Sequence, residues 1–76
     1  MNDMTIDEYL TYWHKLNIAL FGAEEAMKIW EHDRKRNQAL KKLWISKGFN
    51  TYAEFEAWER THIAEKNAFL ERAMNG

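Results

Sequence analysis

The sequence predicts an all-α fold, on three observations. Proline is absent and glycine occurs only three times. Ala, Glu, Lys and Leu, all good helix formers, are plentiful. Apolar residues recur at helical spacing through nearly the whole chain, and no stretch reads as a β-hairpin. The expected architecture is a single domain over residues 1–76 with three helices. A short first helix covers about 6–20. Two long ones, about 23–47 and 52–74, form a long antiparallel hairpin.

The first helix follows a short leader, Met1 to Met4. Thr5 with Glu8 matches a capping box, in which hydroxyl and carboxylate each satisfy a free backbone N–H. Asp7 and Glu8 suit the positive end of the helix dipole. Ile6, Tyr9, Leu10, Trp13, Leu16 and Leu20 then fall on one side, with Asn17 among them. Gly22 supplies the left-handed residue that ends the helix.

The second helix is the stretch around which the chain is organised. Ala26, Met27, Ile29, Trp30, Leu40, Leu43, Trp44 and Ile45 share one broad side, but Asp33, Arg34 and Asn37 interrupt it midway. Glu24 and Glu25 near its start and Lys41, Lys42 and Lys47 near its end follow the dipole. Gly48 with Phe49 reads as a Schellman-type stop. Its expected length, at 1.5 Å per residue, is about 37 Å, against about 24 Å for the first helix.

Thr51 with Glu54 is a second capping box and opens the third helix. Tyr52, Phe55, Trp58, His62, Ile63, Phe69, Leu70, Ala73 and Met74 occupy one wide sector, again with a polar middle. In an antiparallel register across the Gly48–Thr51 turn, Trp44 meets Phe55, Trp30 meets Phe69, and the two polar interruptions coincide. Asp33, Asn37, His62 and Lys66 are therefore expected to form one polar layer that fixes helix register.

The length mismatch has a consequence for assembly. A chain this small buries only about 60% of its unfolded surface, and with no cysteine it has neither a disulfide nor a thiolate metal site to help. The first helix is too short to cover the whole hairpin. Leu40, Leu43, Trp44, Phe49, Tyr52, Phe55 and Trp58 are thus expected to form an aromatic tip used as a protein interface, with a homodimer as the expected assembly.

Catalytic chemistry finds no support. Ser46 is the only serine and has no histidine at helical spacing, so no nucleophile with its base is present, and phosphate-cradling glycine loops are missing. Glu59 and His62 match E-x-x-H, but no second copy of the motif completes a two-metal set. No catalytic residue, metal or cofactor is expected. Tyr9, Trp13 and Trp30 could wall a small pocket in which Asp33, Asn37 and His62 orient a bound molecule.

Net charge is −1, so overall electrostatics favour neither nucleic acid nor an anionic membrane. No apolar run approaches the ~20 residues a bilayer span needs, and the start is acidic where a signal peptide is basic. A cytoplasmic location, in its own cell or a host cell, is the expectation. The charge is nevertheless uneven, with a basic second helix and an acidic third. Lys28, Lys35 and Lys42 are seven apart and align along one outer line, with Arg34 and Arg36 beside them. The expected function is a small non-enzymatic protein-binding module of the accessory or inhibitor kind made by phages and mobile elements. It would dock through the aromatic tip or the acidic face of the third helix. The alternative is nucleic-acid binding along the Lys28, Arg34, Lys35, Arg36 and Lys42 line.

Overall fold

Local hydrogen bonds set where each helix begins and ends. The computed structural model describes residues 3–75; Met1 and Asn2 of the expected leader, and Gly76, lie outside the described residues. Those residues form five helices and no strand: α1 (Ile6–Phe21), α2 (Ala23–His32), α3 (Arg34–Lys47), α4 (Tyr52–Thr61) and α5 (Ile63–Asn75).

The capping box at Thr5 is complete, with Glu8 N–H donating to the Thr5 hydroxyl at 3.2 Å and Thr5 N–H to the Glu8 carboxylate at 3.0 Å. That bonding to Thr5 holds the Glu8 carboxyl below the usual range. At Thr51 the hydroxyl accepts from Glu54 N–H at 3.4 Å, but the Glu54 carboxylate accepts from Asn50 N–H instead of closing the box on Thr51. Gly48 is left-handed (φ 74°, ψ 25°). Its N–H donates to Ile45 O and that of Phe49 to Trp44 O at 3.0 Å, which is the Schellman pair, and the Phe49 ring meets Trp44 edge-on. Gly22 has positive φ but extended ψ (87°, 161°), so it reverses the chain without being a left-handed helical residue.

Both long helices expected from the sequence are broken, and the three-helix description gives way to five. The breaks fall at Asp33 (φ −89°, ψ 3°) and His62 (φ −131°, ψ 35°), the centres of the two polar interruptions. A helix stays straight when packing along its whole length rewards it; where the stripe is polar that reward is missing. Backbone pairing survives around each joint, through Asp33 N–H to Ile29 O and Asn37 N–H to Asp33 O, and through Lys66 N–H to His62 O, all at 2.9 Å.

Bending changes what covers what. α1 packs along α2 and reaches α3, while α5 folds back along α3. Trp44 stacks on Phe55 (5.5 Å, 27°), as the hairpin register expects. Lys47, however, pairs with Glu65, a residue a straight hairpin would put beside Asp33. At the other end Tyr52 N–H donates to Met4 O at 2.8 Å, and Tyr9 stacks on Tyr52 at 4.8 Å. The start of α1 therefore lies on the supposedly uncovered tip. Leu10, Ala39, Leu40, Leu43, Trp44, Phe55 and Leu70 form one buried core. Trp44 is 2% exposed and Leu43 fully buried.

The resulting body is flat, 34 × 30 × 18 Å, about two helices thick. Its radius of gyration of 13.0 Å exceeds the roughly 11 Å of a closely packed domain of this length. Met27, Ile45 and Ile63, assigned to apolar stripes from the sequence, are exposed.

Candidate functional site

Spacing along α1 builds the first wall of a cleft. Tyr9, Leu10, Trp13, His14 and Asn17 recur at intervals of three and four, so all five face the same way. Opposite them stand Ile29 and Trp30 from the end of α2. Beyond the joint come Asp33, then Arg36, Asn37 and Leu40 from the first turns of α3. A straight helix would close against α1; the bend at Asp33 opens a cavity of about 210 Å³ between them. This is smaller than the ~300–1,000 Å³ of drug-sized sites and suits one flat ring or a comparable fragment.

Rings supply much of the lining. Trp13 is 45% exposed, and its ring neighbours Tyr9 and Tyr12 lie nearly perpendicular to it, at 83° and 76°. Trp30 is packed against the His14 imidazole at 4.6 Å. His14 Nδ1 is buried and has no hydrogen-bond partner among the described residues. Asp33 offers one carboxylate oxygen to His32 Nδ1 at 3.2 Å. Arg36 has no ion-pair partner among the described residues. A second cavity of about 400 Å³ shares Leu10, Trp30 and Asn37 with the first and adds Asp7, Thr11, Arg34, Gln38 and Lys41. Lys41 and Asp7 are paired there at 2.9 Å.

Five of the six residues expected to form a pocket are therefore brought together: Tyr9, Trp13, Trp30, Asp33 and Asn37. His62 is elsewhere. It is exposed at the α4–α5 joint, stacked on Trp58 (5.0 Å, 5°), with Nδ1 2.9 Å from Trp58 O and 2.8 Å from the Thr61 hydroxyl. Lys66 is held by Glu59 at 2.5 Å. The expected polar layer is accordingly a correction: Asp33 and Asn37 face α1, whereas His62 and Lys66 serve the other joint. The reason is the bend itself, which turns the two polar segments toward different neighbours. Glu59, the carboxylate of the E-x-x-H pair, is engaged by Lys66 rather than directed to a shared site with His62.

His14, Asn17 and Arg36 belong to the cleft but were missed from the sequence. The signal for the first two was present, since they continue the Leu10–Trp13 face at helical spacing. Arg36 was hidden inside a charged run.

The expected aromatic interface is also corrected. Leu40, Leu43, Trp44 and Phe55 are buried within the one chain, and Phe49, Tyr52 and Trp58 are half-buried against them. Burial, with Tyr9 and Glu56 adjacent, pushes the Tyr52 phenol above its usual value. The lysine line is divided by the Asp33 joint. Lys28 lies on α2, paired with Glu25 at 3.2 Å, while Arg34, Lys35, Arg36 and Lys42 lie on α3. No helix of the described residues is long and apolar enough to cross a membrane.

No family model matches the chain, and no curated protein or solved structure matches it either.

Apolar side chains remain open on α3 and α5, where Ile45 and Ile63 are exposed, and in a group at the far end of the α1–α2 hairpin. Ile18, Leu20 and Phe21 close α1, and Met27 follows in α2; Leu20 is 64% and Phe21 57% exposed.

Proposed function

We propose that this chain is a small non-enzymatic protein-binding module, of the accessory or inhibitor type, acting in the cytoplasm of its own cell or of a host. The observation that carries the reading is the apolar end of the α1–α2 hairpin. Single exposed apolar residues are ordinary on a soluble surface, but Leu20 and Phe21 stand side by side at a tight turn, with Ile18 and Met27 also exposed near it, and such a concentration is of the kind partners cover. The surface replaces the aromatic tip, which is core. The acidic residues of α4 and α5, of which Glu54 and Glu71 are exposed, lend charge for choosing a basic partner. A homodimer is proposed to close over the same hairpin end.

The test is affinity capture from the native cell or its host, with the wild-type chain beside a Leu20→Ser/Phe21→Ser variant, and light scattering on both. A specific partner, or a dimer, that the double variant loses supports the reading. Equal capture by both chains, with both monomeric, defeats it.

A second reading has its own observation. α3 contains six basic residues and no acidic one, and Arg34, Lys35, Arg36 and Lys42 have no ion-pair partner among the described residues. Phosphate contacts along this helix would weaken steeply with salt. Absence of binding to duplex and single-stranded DNA and RNA at low salt eliminates it.

A further inference from the structure

We infer that the cleft at the Asp33 joint is a binding site for a guanine nucleotide, with the base between α1 and the α2–α3 elbow and the phosphate in the adjoining cavity. The proposal does not depend on the docking surface, which lies at the other end of α1.

Shape comes first. The smaller cavity is bounded by rings, and the broad indole of Trp13 is nearly half exposed with no parallel ring against it. Such a wall favours a flat π-system, because stacking needs only a planar face. The larger cavity continues past Trp30 and Asn37, giving room for a sugar and phosphate outside the ring compartment.

Polarity then selects among flat molecules. Asp33 can only accept and Arg36 can only donate, and they stand one helical turn apart on the same wall. Guanine shows donors on one edge, at N1 and N2, and acceptors on the adjoining one, at O6 and N7. Arg to O6 and N7 is the commonest base-specific contact made by a side chain. Asp33 keeps its second oxygen beyond the His32 contact, and Arg36 has no carboxylate partner among the described residues. Adenine offers Asp33 only its N6 amino group and Arg36 only N7, one contact fewer on each side than guanine; a pyrimidine has one ring to offer against Trp13. Asn17 and Asn37 can serve the remaining polar atoms.

Charge in the larger cavity agrees. Asp7 is neutralised there by Lys41, so Arg34 contributes the surplus positive charge, and a guanidinium matches phosphate oxygens two at a time. The ligand's source is either a free mononucleotide or a guanosine residue within a single strand.

The experiment is a nitrogen–proton NMR titration of the full chain with GMP, guanosine, CMP and a short single strand containing one guanosine. The signals to follow are the Trp13 and Trp30 indole N–H groups and the Asn17 and Asn37 side-chain amides, with Trp44 as an internal control for folding. GMP or the strand should move the cleft signals saturably, and whichever binds tighter identifies the source. CMP should be at least about tenfold weaker, and Asp33→Asn and Arg36→Gln should each lower GMP affinity by about tenfold or more. Arg34→Gln should weaken GMP while leaving guanosine unchanged. Unmoved cleft signals with both GMP and the strand, or equal responses to CMP and GMP, overturn the proposal.

Discussion

Two helix joints with the same origin have opposite fates in this molecule. Each lies where a polar segment interrupts an apolar stripe. At His62 the freed groups are used internally: the imidazole stacks on Trp58 and bonds locally, and Lys66 pairs with Glu59. Beneath it lies the packed Trp44, Phe49, Phe55 and Trp58 cluster. At Asp33 the side chain makes no capping bond, and the space beneath is a cleft with polar groups left open. A satisfied joint closes the core; an unsatisfied one leaves a place for something else.

The sharpest way to break that contrast is to remove one tryptophan from each side. Trp44→Ala should cost about 3–5 kcal/mol in urea unfolding, whereas Trp13→Ala should cost about 1 kcal/mol. Similar losses would show that the cleft side is as tightly packed as the core. Trp44→Phe should cost clearly less than Trp44→Ala, because it keeps a ring in the core while losing only an indole N–H that is buried without a partner among the described residues.

A smaller difference is expected at the joints themselves. Glu59→Ala strands the largely buried Lys66 ammonium and should cost about 1–2 kcal/mol. Asp33→Ala should stay within about 0.5 kcal/mol, since it loses neither a cap nor a backbone bond. Equal effects in denaturant melts would mean that the Asp33 side chain is structural. Below these comes the Thr5 cap at the tip of α1. Thr5→Ala should lower stability by about 1 kcal/mol, and far-ultraviolet circular dichroism should show α1 fraying before the rest.

The smallest effects come from pH, with signs set by two shifted groups. The Lys47 hydrogen bond holds the exposed Glu65 carboxyl below its ordinary value. Its contribution is therefore present above about pH 4.5 and fades as pH falls through the depressed folded value. Glu65→Gln should flatten the acid end of a melting-temperature profile. Tyr52 runs the other way, because burial favours its neutral phenol. Its contribution is intact below about pH 10 and is lost as pH rises through the higher folded value, so Tyr52→Phe should make the alkaline limb shallower.

Much of the fold was legible because it rests on neighbours in the chain. The helix starts at Thr5 and Thr51, the stop at Gly48 and Phe49, and the reversal at Gly22 follow from residues within one turn of each other. The gathering of Tyr9, Trp13, Trp30, Asp33 and Asn37 was legible too, from helical spacing combined with a tight turn. The straightness of the two long helices was not. Periodicity records which residues could share a face, and a polar gap is equally compatible with a buried polar layer and with a bend.

By itself, then, the amino-acid order determined an all-helical chain, the ends of its helices apart from the two breaks, and two weak points at Asp33 and His62. Which way each weak point went was settled only in three dimensions. Bending there lets α1 and α5 cover Trp44 and Phe55 within one chain. Burial of that surface outweighs keeping two helices straight, because the hydrophobic gain grows with area removed from water while each joint disturbs only a few backbone bonds.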